Sequence, residues 1–189
     1  MRPLVWPALL AAIAVPVALA ATSPLLQWRD GVYIAAGFAG IAAMALLLVQ
    51  PLLAIRALPG LNPKSSLRAH RMTGGGLLIA IALHVVGLYA TSPPDVIDAL
   101  TFTSPTLFSP FGVIAMWAAL AAALVAILRR EFAARTWRRA HTGLALVVAA
   151  TTAAHVALIE GAMEPVSKTL LSLAALAAAA LAARRIWRR

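Results

Sequence analysis

The sequence predicts an all-α polytopic membrane protein, a bundle of six helices, and three observations predict it. Of the 189 residues 62% are hydrophobic and only 12% charged, with a mean hydropathy of +0.90, whereas a water-soluble domain of this length needs a far more polar surface. Alanine and leucine dominate long unbroken runs, while a membrane barrel shows short segments of alternating polarity. The positive charges gather at every second connection, as they do in a chain that threads back and forth through a bilayer.

The helices are expected over about 4–21, 32–55, 68–90, 111–128, 140–159 and 166–186, each close to the roughly 20 residues that cross the hydrocarbon. The first runs from Met1-Arg2 to Ala18-Leu19-Ala20, a pattern that also fits a signal peptide with a small-residue cleavage site. Its removal would leave five helices and the orientation of every later one unchanged. Pro59-Gly60 and Asn62-Pro63 break the chain between the second and third helices, and Pro93-Pro94 and Pro105 between the third and fourth, all with turn chemistry. In the latter connection, Pro94-Asp95 followed by Val96, Ile97, Leu100 and Phe102 fits a short interfacial helix, apolar side down, that seals or gates the site beneath it.

Arg56, Lys64, Arg68 and Arg71 surround the second connection, and Arg129, Arg130, Arg135, Arg138 and Arg139 the fourth. With Arg2 and the terminal Arg184, Arg185, Arg188 and Arg189 they leave only Arg29 and Lys168 for the opposite face, among Asp30, Asp95, Asp98, Glu160 and Glu164. The positive-inside rule then places both termini in the cytoplasm of a bacterial inner membrane, and Trp6, Trp137 and Trp187 against Trp28, Tyr33 and Tyr89 form the two aromatic belts. The net charge of +10 is therefore a membrane signature and implies lipid rather than nucleic acid. Cysteine is absent, which excludes iron–sulfur clusters, disulfides, thiolate catalysis and covalently attached haem.

The chemistry lies in four histidines. His70 and His84 fall on the third helix, His141 and His155 on the fifth, each pair fourteen positions apart. Fourteen residues fall about 40° short of four turns and rise about 21 Å, so each helix presents two imidazoles on one face near opposite membrane boundaries. Both helices run the same way, which puts His70 level with His141 and His84 with His155. Two bis-histidine b-type haems, stacked along the membrane normal, are the metal sites this pattern fits; a zinc or copper site needs its ligands within a few ångströms of one another. The competing reading is four polar groups that tie helices together.

Gly74, one turn after His70, with Gly75, Gly76 and Gly143, removes side chains where a flat macrocycle, or another helix, would approach. Haem propionates need cations: Arg68, Arg71, Arg138 and Arg139 are the candidates at the inner level, Arg29 and Lys168 at the outer.

Leu67-Arg68-Ala69-His70-Arg71 running to His84, then Trp137-Arg138-Arg139-Ala140-His141 running to His155, resembles the ferric reductase-like transmembrane domain family over about residues 32–186. The resemblance implies that His70 and His141 hold an inner haem and His84 and His155 an outer one, and that electrons pass from cytoplasm to outside. Larger members append flavin and nicotinamide domains after the sixth helix, whereas this sequence ends at Arg189. The expectation is an oxidoreductase component with an external donor, either a cytoplasmic flavoprotein or a membrane quinol. Its outer-face acceptor would be a ferric chelate, oxygen or a periplasmic protein. A haem subunit serving a periplasmic methionine sulfoxide reductase, and a non-redox haem-binding or scaffold protein, are the alternatives.

Overall fold

The computed structural model describes residues 4–188; Arg2 and Arg189, counted above among the inner charges, lie outside them, as does the Met1-Arg2 start of the signal-like pattern. Every regular element among these residues is helical: α1 (Val5–Ala21), α2 (Gly31–Ala54), α3 (Pro63–Thr91), α4 (Pro93–Leu100), α5 (Ser109–Ile127), α6 (Ala134–Leu158) and α7 (Pro165–Trp187), with a single 3₁₀ turn at Pro24–Leu26. The six long helices are those expected, and α2, α3, α5, α6 and α7 are each long and apolar enough to cross a membrane. α1 has 17 residues and rises about 26 Å, near the lower limit for a span.

Local chemistry sets the ends. Asn62 accepts from the Ser65 N–H at 2.8 Å with Pro63 at the first helical position, so α3 starts at Pro63 rather than at the expected 68; a missing N–H is harmless there because the first turn has no partner for it. α6 likewise begins at Ala134 and carries Arg135, Arg138 and Arg139 on helix rather than loop. The Glu164 carboxylate accepts from Val166 and Ser167 N–H groups at the start of α7, and those two donors hold its pKa below the usual carboxylate range. The foreseen short helix is α4, between α3 and α5, with Ile97 and Leu100 left exposed on it.

Two antiparallel hairpins, α2–α3 and α5–α6, make up the working part of the bundle, and α7 packs against both α6 and α2. α1 lies on the outside of α7 and touches α2 lightly. In a bilayer no hydrophobic force separates helix from lipid, so close packing of small residues must hold helices together. α7 shows how: Leu171, Ala175, Ala178, Ala179, Ala182 and Ala183 are its buried stripe, spaced at the helical three-and-four repeat. The shared core adds Met44, Leu47 and Leu48 of α2, Ala118 and Ala119 of α5 and Val148 of α6. α3 differs: only Ser66 and Ala80 are buried on it, and Met72, Ile79, Leu83 and Val86 are exposed, the lipid-facing side of the bundle.

The α2–α3 hairpin closes tightly where Gly87 meets Ala36. A Cβ at Gly87 would come within 2.7 Å of the Ala36 Cβ. Gly87→Leu is expected to destabilise by about 1–3 kcal/mol through overpacking, read as a lower thermal unfolding midpoint in detergent, whereas Ile79→Leu on the lipid face leaves the midpoint in place.

Candidate metal centre

All four histidines use the same device. Each donates its Nδ1–H to a backbone carbonyl of the preceding helix: His70 to Gln50 at 3.1 Å, His84 to Ala36 at 2.8 Å, His141 to Ala122 at 3.0 Å and His155 to Phe108 at 2.9 Å. A carbonyl can only accept, so the proton must sit on Nδ1 and the lone pair on Nε2. The Nε2 atoms take part in none of these bonds. Gln50 and Ala36 are fourteen residues apart, as are Ala122 and Phe108, so each α2 or α5 helix mirrors the histidine spacing of its antiparallel partner and both hairpins share one register.

The structure brings His70 and His141, one of the two expected pairs, together. His70 and His141 face each other with ring centroids 6.3 Å apart and planes crossed at 76°. A metal–nitrogen bond of about 2 Å and a nitrogen-to-centroid distance of about 1 Å, doubled, give about 6 Å for two imidazoles on opposite sides of one metal. α3 and α6 themselves barely touch: the imidazoles bridge a gap between helices that pack on other neighbours. Among the described residues no three His, Asp or Glu side chains gather in one place, so the closed four-ligand arrangement of structural zinc is not formed.

Glycine provides clearance for the second pair. A Cβ on Gly40 would come within 2.9 Å of His84 Nδ1, and one on Gly112 within 2.7 Å of His155 Nδ1. Each glycine lies four residues after the accepting carbonyl, Ala36 or Phe108, where a side chain would cover the oxygen that already serves the helix. Sequence reasoning missed Gly40, Gly112 and the four carbonyls. Only the glycines carried a signal: Gly40 and Gly112 are seventy-two residues apart, close to the seventy-one that separates His70 from His141 and His84 from His155, whereas the carbonyls belong to Ala36 and Gln50 in one hairpin and to Phe108 and Ala122 in the other, which no residue pattern marks.

The remaining candidates are placed as follows. Arg68, Arg71, Arg138 and Arg139 are exposed at the His70–His141 end. Arg29, also exposed, stacks its guanidinium 4.8 Å over Tyr33 rather than pairing with Asp30. Lys168 has another use: its Nζ donates to Ile159 O at 2.7 Å and Ala157 O at 3.4 Å, capping the carbonyls at the end of α6, a place where a cation also meets the helix dipole. Gly74 faces the Gln50 amide: a Cβ there would lie 3.6 Å from its Nε2 and Oε1. A Cβ on Gly76 would meet Leu46 at 3.6 Å, while Gly75 and Gly143 face open space.

The ferric reductase like transmembrane component family matches residues 39–152, more than half of the chain and three of the four histidines. The chain belongs to that family and is an integral membrane protein. No curated protein and no solved structure matches it.

Gly40→Ala and Gly112→Ala are each expected to push an outer imidazole off its carbonyl and to destabilise by about 1–3 kcal/mol, the cost of a buried N–H without a partner. Gly37→Ala, where a Cβ meets nothing within 4 Å, is the neutral control in the same thermal unfolding series.

Proposed function

We propose that this chain is a transmembrane electron carrier that holds two b-type haems, one between His70 and His141 and one between His84 and His155. The observation that carries this reading is the set of four Nδ1–H donations, which leave four Nε2 lone pairs at two levels about 21 Å apart. Membership of a ferric reductase-like family supports it. When bound, a bis-imidazole haem supplies one-electron exchange at iron with both axial positions filled.

The protein's part is to fix tautomer and ring direction through the carbonyls, which also strengthens each imidazole as a ligand. The bundle excludes water along the path, and cations near the rim meet the anionic propionates. Arg68, Arg71, Arg138 and Arg139 serve the His70–His141 level, and Arg29 is the cation of the other end. The arginine-rich end faces the cytoplasm by the positive-inside rule, so electrons enter from a cytoplasmic flavoprotein or a membrane quinol and leave to an acceptor on the opposite face: a ferric chelate, oxygen or a periplasmic protein.

Purified protein is expected to carry two haems per chain with sharp b-type bands on reduction. His84→Ala and His155→Ala each lose one haem and keep the other, and a folded, colourless wild type would instead favour a non-redox scaffold. For orientation, alkaline phosphatase fused after Leu100 is expected to be active and the same reporter fused after Arg188 inactive; the reverse pattern overturns the assignment of faces.

A further inference from the structure

The two hairpins repeat each other, yet they hold their histidines at the arginine-rich end differently. Gln50 and Ala122 occupy equivalent positions and offer equivalent carbonyls. Ala122 has nothing more to give, whereas the Gln50 side chain reaches across to α3, its Nε2 donating to His70 O at 3.2 Å and to Thr73 Oγ1 at 2.6 Å. Thr73 commits its own proton to Ala69 O at 2.8 Å, so it must accept from the amide, and this fixes which end of Gln50 is the NH₂ group. The position equivalent to Thr73 is Leu144, which can make no such bond. His70 is therefore gripped at both its ring and its backbone by one residue. His141 is held by its ring bond and by Trp137, stacked at 5.9 Å with an interplanar angle of 16°.

Resting on the two-haem reading above, we propose that Gln50 is a positioning residue that sets the plane of the His70 ring across that of His141, so that the two haem sites are electronically inequivalent. The crossed planes, 76° apart, are the geometry at issue. In low-spin ferric bis-imidazole iron, parallel ligand planes separate the two π-bonding d orbitals and give a rhombic electron paramagnetic resonance spectrum. Crossed planes leave those orbitals nearly degenerate and give one broad feature at high g. Hydrogen bonding from beyond the ligands is also a lever on reduction potential. Gln50 acts at one level only, because Ala36, its counterpart fourteen residues away, accepts His84 Nδ1–H with no side chain that can reach back.

The test is a low-temperature spectrum of the oxidised, haem-loaded full chain in a His84→Ala background, where the His70–His141 site is the one left to report. The expected spectrum has a high-g feature. Gln50→Leu, matched in size but without the amide, moves it to lower g, and Thr73→Val, which removes the acceptor that steers the amide, moves it the same way by less. In the chain with all four histidines, both substitutions leave the second haem's signal in place. A high-g feature that stays put in both variants overturns the proposal, as does an equal shift at both haems; Thr73→Val decides if Gln50→Leu does not fold. A wild type without haem overturns the two-haem reading itself, a result separate from an unmoved signal in a loaded protein.

Discussion

A single interaction organises this protein: an imidazole N–H donated to the backbone carbonyl of a neighbouring helix, made four times. In the bilayer interior an unpartnered N–H cannot turn to water, so the donation is what allows a histidine to sit there at all. The same bond decides which nitrogen keeps its lone pair. It also constrains the backbone, since the carbonyl already serves its own helix and must accept a second donor from the side. The small residue one turn further on, Gly40 or Gly112, leaves that side open.

This constraint explains the architecture around it. If α3 and α6 packed directly on each other, their rings would have no room to face one another. Instead each leans on its own partner, α2 or α5, and α7 joins the assembly from outside through an alanine stripe that lets backbones approach closely. The gap between α3 and α6 is thus a product of where the good packing surfaces lie. α3, with few buried residues, packs closely on α2 at Gly87 and Ala36 and adds polar bonds to it: those of His70 and His84, the Gln50 amide, and Ser66 Oγ donating to Leu53 O at 2.7 Å.

Repetition and its breaks carry the rest. The matched registers of the two hairpins place equivalent carbonyls against equivalent rings. At the arginine-rich level Gln50 answers Ala122 and Ser66 answers Trp137. At the opposite level Gly40 and Gly112 do the same work, but Phe108 answers Ala36 and sets its ring edge-on to His155, centroids 5.6 Å apart. At the arginine-rich level two of the differing side chains touch the histidines, the Gln50 amide at His70 O and the Trp137 ring over His141.

The amino-acid sequence by itself determined the membrane class, the helical bundle and the fourteen-residue spacing that sets His70 with His84, and His141 with His155, on one face of a helix. Each of these follows from a period or a count along one chain: runs of apolar residues, charges at alternate connections, and a spacing of fourteen that any helix turns into one face. It could also foresee α4, because prolines and an alternating apolar pattern are local. The partners of the Nδ1 atoms, the clearance at Gly40 and Gly112, the capping use of Lys168 and the grip of Gln50 on His70 were decided only by the tertiary structure. These depend on how two helices slide and rotate against each other, and a shift of one residue in that register would put a different carbonyl beside every ring.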